Sequence, residues 1–277
     1  MTGTAQDQGG HDSLRVLLVT GGHPFAKEPF LDAWAADPGL AVTHVEHPGA
    51  AEWIADGRAA QFDAIVFYDM PGVGFSAGEL PSTPAAPPGV IAGFSTLTEA
   101  GTGLVFLHHA LASWPGWAGF AEIVGGRFHY TPARLRDTQW PDSGYLLDVE
   151  HQIEVVDPSH AVCAGVPPRF SVVDELYLAP VFELEVTPLL RSDFVFTDTA
   201  FWSASRAVAG HRDDRTGWRH PDGSNLVGWS RVVGSSRVVY LQPGDGPLAY
   251  AHPAVRRLWG NAVRWVADQP VADHASA

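Results

Sequence analysis

"LRVLLVTGG", residues 14–22, carries the strongest structural signal in the chain: a nearly uninterrupted apolar run that two glycines close. A strand with one face in water alternates apolar and polar residues, whereas a strand buried on both faces is apolar throughout. Two further runs, "DAIVFYDMPG" (63–72) and "TGLVFLHH" (102–109), follow the same pattern. The three runs predict a parallel sheet covered on both faces.

Segments with helical patterns separate these strands. Helices are predicted at 27–37, 50–62, 90–101 and from Trp117 to the glycines at 125–126, and a further strand is predicted at 40–47. Strands that alternate with helices predict a doubly wound, mostly parallel α/β sheet with right-handed crossovers.

The second half of the chain has a different pattern. Residues 145–157, 186–193 and 225–244 are strand-like with short turns, and the last of them contains a hairpin around Gly234. Hairpin turns join antiparallel strands, so we expect an antiparallel β extension on the parallel core. An amphipathic helix is predicted at 252–268.

The composition narrows the class of protein. The 277 residues carry 31 acidic against 17 basic side chains, a formal net charge of -14. Nucleic acid and anionic membranes require a basic face, so neither is an expected partner, whereas a small neutral molecule is. The polar N-terminus and the absence of an apolar run of about 20 residues predict a cytoplasmic protein. We expect one domain at 14–268 with flexible tails at 1–13 and 269–277, and homo-oligomer formation stays open.

Two common kinds of site are excluded. Cys163 is the single cysteine, so neither an intramolecular disulfide nor a thiolate metal cluster can form. The glycine-rich "VTGGHPF" (19–25) lacks both the G-x-G-x-x-G pattern and the Lys-Ser/Thr pair of phosphate-binding loops. No nucleotide cofactor is therefore expected.

Polar residues collect where the predicted strands end. Ligands of open parallel sheets bind beyond the carboxyl ends of the strands. The residues predicted at this edge are His23, Asp69, His108, His109, Gln242 and Asp245, together with Asp174, Glu175 and Tyr177 of "VVDELY" (172–177). Successive strand residues point to opposite faces, so we expect His109, nearer the turn, to face the cleft and His108 to pack behind it.

Structural roles are the alternative for single residues. A histidine at a strand end is more often structural than catalytic, Asp69 in "YDMPG" also suits a turn cap, and Trp114 suits the core as well as a sugar ring. The convergence of His23, His109, Glu175 and Asp245 is stronger evidence, because buried charges need partners. The partner is either a divalent metal, zinc foremost, or another member of the group.

Five segments resemble the ThuA-like (trehalose-utilisation) family. They are "VLLVTGGHPF", "GTGLVFLHHALASWPGWAGFAEIVGGRF", "VVDPSHAVCAGVPPRFSVVDELYLAPV", "VTPLLRSD" and "VVYLQPGDGPLAYAHPAVRRLWGNAVRWVA", which together span about residues 14–267. The resemblance implies a class I glutamine amidotransferase-like, flavodoxin-like fold. It also implies a link to disaccharide and 3-keto-sugar metabolism.

The resemblance also gives "FLHHALASW" (106–114) a meaning. In amidotransferases the corresponding strand leads into a nucleophile elbow with a cysteine, and here His108 and His109 take that place. Gly244 or Asp245 stands where the triad histidine is found, although some relatives carry histidine at the position of Asp245. Thiolate catalysis needs the thiolate, so the chain is not expected to be a glutamine amidotransferase or a protease.

Together these features predict an enzyme that acts on a sugar or 3-keto-sugar derivative as a lyase, isomerase or hydrolase. The predicted catalytic residues are His109 as the base, with His108, Glu175 and Asp245. The predicted substrate-binding residues are His23, Asp69, Trp114, Tyr177 and Gln242. The predicted metal ligands are His23, His109, Glu175 and Asp245. A non-catalytic carbohydrate-binding or regulatory protein is the alternative.

The segment 71–89, "PGVGFSAGELPSTPAAPPG", is a loop by composition. It leaves a strand at the ligand-binding edge, so we expect it to border the site and to be more mobile than the sheet.

Overall fold

The computed structural model describes residues 13–76 and 79–268. The tails predicted at 1–13 and 269–277 therefore lie outside the described residues, apart from Ser13. The strands are β1 (Leu14–Gly21), β2 (Leu40–Glu46), β3 (Ala64–Asp69), β4 (Gly103–Leu107), β5 (Ala133–Leu135), β6 (Thr138–Trp140), β7 (Gly144–Val155), β8 (Arg169–Leu178), β9 (Thr187–Ser192), β10 (Trp202–Ser203), β11 (Leu226–Val233) and β12 (Ser236–Leu241). The helices are α1 (Lys27–Ala35), α2 (Gly49–Ala55), α3 (Pro88–Ala100), α4 (Ala118–Val124), α5 (Ala204–Val208), α6 (Pro247–Ala251) and α7 (Pro253–Val266).

A mixed sheet of 10 strands forms the centre of the fold. Nine strands follow the order β10-β7-β9-β11-β12-β4-β3-β1-β2, and the tenth, β8, also pairs with β7. The strands from β12 to β2 are parallel. Every residue of β3 and β4 is buried, as their apolar sequences predict. Phe30 of α1 and Leu258 of α7 pack on one face of the sheet, and Ile54 of α2 and Phe94 of α3 pack on the other. The predicted doubly wound α/β fold is confirmed.

The antiparallel extension is also present. β11 and β12 form the predicted hairpin around Gly234, and β11 continues through β9 to β7 with antiparallel pairing. Strand β8, which contains "VVDELY", was not predicted as a strand; it pairs antiparallel with β7. A bulge shifts the register between Leu146 and Val149 of β7, opposite Glu175. None of the described helices is long and apolar enough to cross a lipid bilayer.

Some predicted bounds were wrong. The helix expected at 50–62 ends at Ala55, and a separate 3₁₀ turn follows at Arg58–Gln61 because Gly57 adopts a left-handed backbone. The strand expected at 102–109 ends at Leu107, and the chain turns into a 3₁₀ segment over His108–Ala112. This early end decides how the two histidines point.

Acid is expected to weaken the sheet extension through His151. Its Nδ1 lies 2.8 Å from Ser192 Oγ between β7 and β9, and burial lowers the pKa of His151 to about 4. Between this pKa and the ordinary value of about 6.5, the unfolded chain binds the proton and the folded chain does not. The His151 contribution to the free energy of unfolding is therefore full above about pH 6.5 and falls by about 3 kcal/mol as the pH drops to 4.

Denaturant unfolding of the His151→Asn protein at pH 7 and pH 4.5 tests this expectation. The variant should lose less stability on acidification than the wild type, because asparagine can keep a bond to Ser192 without titrating. His211→Asn, at an exposed position, is the control and should retain the wild-type difference. Equal acid sensitivity in both variants would contradict the assignment.

Candidate functional site

A cavity of about 600 Å³ lies at the carboxyl edge of the parallel strands. Its walls are aromatic, a composition typical of small-molecule sites. The aromatic wall residues include Phe25, Phe75, Phe128, Tyr130 and Tyr145. The polar groups that line it include His23, Glu175, Tyr177 and Asp245, and Arg212 contributes a cation.

His108 stands behind the polar lining and connects its members. Its Nε2 lies 2.7 Å from the Tyr177 hydroxyl, 2.9 Å from Glu175 Oε2 and 3.3 Å from Asp245 Oδ1. Its Nδ1 lies 2.8 Å from the carbonyl oxygen of Gln242, and because a carbonyl only accepts, Nδ1 carries a proton. We call His108, Glu175, Tyr177 and Asp245 the His108 cluster.

The cluster is electrostatically coupled. Burial alone lowers the pKa of His108, but hydrogen bonds with Asp245 and Glu175 outweigh burial and raise that pKa well above its usual value. Burial alone raises the pKa of Asp245, and the interaction with His108 outweighs it, so the pKa of Asp245 is lowered. Without any other cation, the cluster therefore holds a protonated imidazole beside ionised Asp245.

The backbone at His108 is strained. Its φ of 47° lies in the left-handed region, which residues with a side chain rarely adopt. Strained positions of this kind concentrate at functional sites, where the surrounding structure holds them in place. The imidazole thus occupies a strand-to-turn position with the geometry of a nucleophile elbow.

Strand β8 positions the carboxylate and the phenol. Glu175 and Tyr177 are two residues apart, so both point to the same face of β8. The bulged residues Leu147 and Asp148 lie opposite Glu175, and Leu147 itself lines the cavity. Bulges bend the bulged strand and interrupt the ladder locally, and this one lies directly opposite Glu175.

Asp174, on the opposite face of β8, holds the loop that carries Asp245. Its carboxylate accepts hydrogen bonds from the backbone N–H of Gly244 (2.6 Å) and of Asp245 (2.9 Å). Burial raises the pKa of Asp174 to about 6. Gly244 has a φ of 142°, and a Cβ there would lie 2.7 Å from the Trp259 ring. The sequence placed Asp174 at this edge but did not give it this role; its proximity to Glu175 in "VVDELY" was the available signal.

His23 lies in the cavity lining, and His109 lies behind it. The two rings stack with 4.4 Å between their centres, and the centre of the His109 ring also lies 4.2 Å from that of Tyr68. Neither ring nitrogen of His109 has a hydrogen-bond partner among the described residues. Burial lowers the pKa of both histidines, that of His109 far more.

His109 does not face the cleft, contrary to the prediction from its position near the turn, and neither His108 nor His109 is among the residues that line the cavity. Because β4 ends at Leu107, the alternation of strand faces no longer applies, and the left-handed turn directs His108 toward β8. The predicted metal set changes accordingly. Ligand atoms of His108, Glu175 and Asp245 lie within 4.8 Å of one another in the described part of the chain, and His23 and His109 are not in that group.

The family comparison agrees with this architecture. The ThuA family model, described as trehalose utilisation, matches residues 15–266. The chain belongs to the ThuA family. No curated protein sequence matches it.

Solved structures share the fold of this ThuA-family chain. A ThuA-like protein from Parabacteroides merdae has 14% identity and a TM-score of 0.69, covering 95% of this chain and 93% of that one. A second ThuA-like protein, from Bacteroides uniformis, has 15% identity and a TM-score of 0.58, covering 95% of each chain. A cytoplasmic protein from Salmonella typhimurium has 10% identity and a TM-score of 0.53, covering 91% of this chain and 99% of that one. At such identities the similarity concerns the fold alone.

Cys163 of the ThuA-family chain is no nucleophile. It is buried, its Sγ lies 4.0 Å from the Leu189 carbonyl oxygen, and burial raises its pKa to about 12. A thiol with this pKa is inert near neutral pH.

Three predicted substrate-binding residues of the ThuA-family chain do not line the cavity: Asp69, Trp114 and Gln242. Asp69 is buried and pairs with His47 Nε2 at 2.7 Å, and the Trp114 ring packs edge-on against His47. Gln242 supports the His108 cluster through its backbone. His23 and Tyr177, predicted with them, do line the cavity.

The loop at 71–89 of the ThuA-family chain reaches the site as predicted. Phe75 lines the cavity and packs edge-on against Tyr130 at 5.3 Å between ring centres. The greater mobility of this loop stays a prediction.

Proposed function

We propose that the protein is an enzyme that acts on a sugar or 3-keto-sugar derivative by acid–base chemistry. One observation carries the proposal: Glu175, Asp245 and the imidazole of His23 together line an aromatic-walled cavity of about 600 Å³. Membership of the trehalose-utilisation family supports the carbohydrate class.

The cavity suits a sugar in shape and chemistry. Aromatic rings such as Phe25 and Tyr130 offer flat apolar surfaces to the C–H face of a pyranose. The carboxylates of Glu175 and Asp245 accept hydrogen bonds from hydroxyl groups. The volume lies within the range of about 300–1,000 Å³ of small-molecule pockets.

His23 is the proposed base. A 3-keto group acidifies the neighbouring C–H bonds, and a neutral imidazole can take one of these protons. Burial lowers the pKa of His23, which keeps its ring neutral near pH 7, and the residue lines the cavity. This assignment replaces His109, whose ring does not line the cavity.

Proton removal leaves the electron pair of the C–H bond on the ketone oxygen as an enolate. The Tyr177 hydroxyl, whose pKa burial raises well above its usual value, stays protonated and can donate to that oxygen. If the enolate oxygen is protonated, the neighbouring hydroxyl loses its proton and the former carbonyl carbon takes up the proton from His23, the ketone moves to the next carbon, which is isomerisation. If instead the enolate re-forms the ketone while a protonated leaving group departs from the carbon beyond the deprotonated one, the result is a lyase reaction.

Proton NMR in D₂O tests the proposal with 3-keto-glucosides and their unoxidised parent disaccharides. We expect protein-dependent exchange of the C–H next to the ketone for deuterium, with conversion of the keto-sugar, and no exchange in the parents. Binding of the 3-keto-glucosides without exchange or conversion would overturn the proposal in favour of a non-catalytic carbohydrate-binding protein.

A further inference from the structure

We infer that His108, Glu175 and Asp245 form a binding site for one divalent transition-metal ion, with Zn²⁺ as the best-suited occupant. Binding itself is argued from the geometry of the three side chains. Its use in catalysis rests on the proposed function.

The oxygens around His108 Nε2 outnumber the hydrogen atoms that this nitrogen can donate. Three oxygens, from Tyr177, Glu175 and Asp245, lie 2.7, 2.9 and 3.3 Å from the single nitrogen His108 Nε2. One N–H cannot satisfy two carboxylates at once, and clustered carboxylates, of which that of Glu175 is buried, favour a bound cation. A metal ion supplies more positive charge at this point than one proton does.

The distances between His108 Nε2 and the two carboxylate oxygens are close to those between ligands of one zinc ion. Zinc bonds to histidine nitrogen and carboxylate oxygen are about 2.0–2.2 Å long, which places two ligands of one ion about 3–3.5 Å apart. The separation of His108 Nε2 from Asp245 Oδ1, 3.3 Å, lies in this range, and that from Glu175 Oε2, 2.9 Å, is slightly shorter. The ligand atoms of all three residues lie within 4.8 Å of one another.

The imidazole of His108 is oriented as in a metal-bound histidine. A metal-bound histidine usually donates its other ring N–H to a backbone carbonyl or a carboxylate, which fixes the tautomer. His108 Nδ1 donates to the Gln242 carbonyl at 2.8 Å, so the neutral ring, which is the form that binds a metal, would direct the lone pair of Nε2 at the two carboxylates. Asp174 accepts a hydrogen bond from the backbone N–H of Asp245 at 2.9 Å and so fixes the position of this second carboxylate.

The donor set selects the kind of ion. One imidazole with two carboxylates favours zinc, manganese or iron over calcium and magnesium, which prefer oxygen ligands alone. Glu175 and Asp245 also line the cavity, so a coordination position can face the substrate. A bound ion of this kind supplies Lewis-acid polarisation of a ketone oxygen.

Titration of Zn²⁺ into chelator-treated, tag-free protein, followed by calorimetry, tests the inference. We expect one equivalent to bind, and Co²⁺ to give a visible absorption band that Zn²⁺ displaces. Asp245→Asn and Glu175→Gln keep the side-chain shape and should each weaken binding by about a hundredfold or more. Asp32→Asn, which removes an exposed carboxylate on α1, should bind as the wild type does.

Two outcomes overturn the inference: no stoichiometric binding, or equal affinity in Asp245→Asn, Glu175→Gln and Asp32→Asn. Circular dichroism of each variant confirms that a loss of binding is not a loss of fold. Turnover of a 3-keto-glucoside that survives metal removal would leave the proposed function standing without the metal. Stoichiometric metal binding with no sugar conversion would support the metal site and contradict the proposed function.

Discussion

The His23→Gln protein is expected to convert its 3-keto-sugar about a thousandfold more slowly than the wild type, with an unchanged fold. General base catalysis contributes about 10²–10⁴ in rate, and glutamine cannot accept the proton. His23 lines the cavity, and its Nδ1 has no hydrogen-bond partner among the described residues. This atom therefore does not hold another element in place. The loss should therefore lie in kcat, with KM nearly unchanged.

Deuterium exchange and product formation by the His23→Gln protein give the measurement, with thermal unfolding to check the fold. His44→Gln is the matched control, because His44 lies on β2 with its Nε2 2.7 Å from Thr20 Oγ1 and outside the cavity lining. It should keep the wild-type rate. If His23→Gln also keeps that rate while Glu175→Gln loses it, the base is Glu175 and the assignment of His23 is wrong.

The parallel core was predictable because its strands are apolar on both faces. A run such as that of β3 or β4 has one stable location, the interior of a helix-covered sheet. Strand β8 was not predictable by the same signal. Its sequence contains the charged pair Asp174–Glu175, and those carboxylates are buried only because His108 and the backbone of Gly244–Asp245 compensate them. These partners are about 70 residues away along the chain, beyond the reach of a local pattern.

The edge of the sheet was predictable, but the direction of side chains at that edge was not. The strand-end rule placed His23 and Asp245 at the edge where the cavity lies, and Glu175 was placed there without a predicted strand. It could not show that the backbone turns left-handed at His108, which directs this ring toward β8 and leaves His109 behind His23. The rule applied to β2 would also have found His47, which follows that strand and pairs with Asp69.

The Gly22→Ala protein is expected to lose at least about 3 kcal/mol of unfolding free energy. Gly22 has a φ of 87°, and a Cβ there would lie 2.3 Å from the carbonyl oxygen of Met70. That carbonyl cannot easily retreat, because the N–H of Met70 donates to the Gly21 carbonyl at 2.8 Å and ties the ends of β1 and β3 together. The loop must shift instead, and it carries His23.

Gly57→Ala provides a closely matched comparison for Gly22→Ala. Gly57 has a φ of 83°, and a Cβ there would meet nothing within 4 Å among the described residues. Both substitutions carry the cost of a left-handed alanine, about 1 kcal/mol, and the same loss of flexibility in the unfolded chain. The difference between their unfolding free energies in denaturant therefore isolates the overlap with Met70. A difference near zero would show that the β1 loop is loosely held, and that Gly22 does not fix the position of His23.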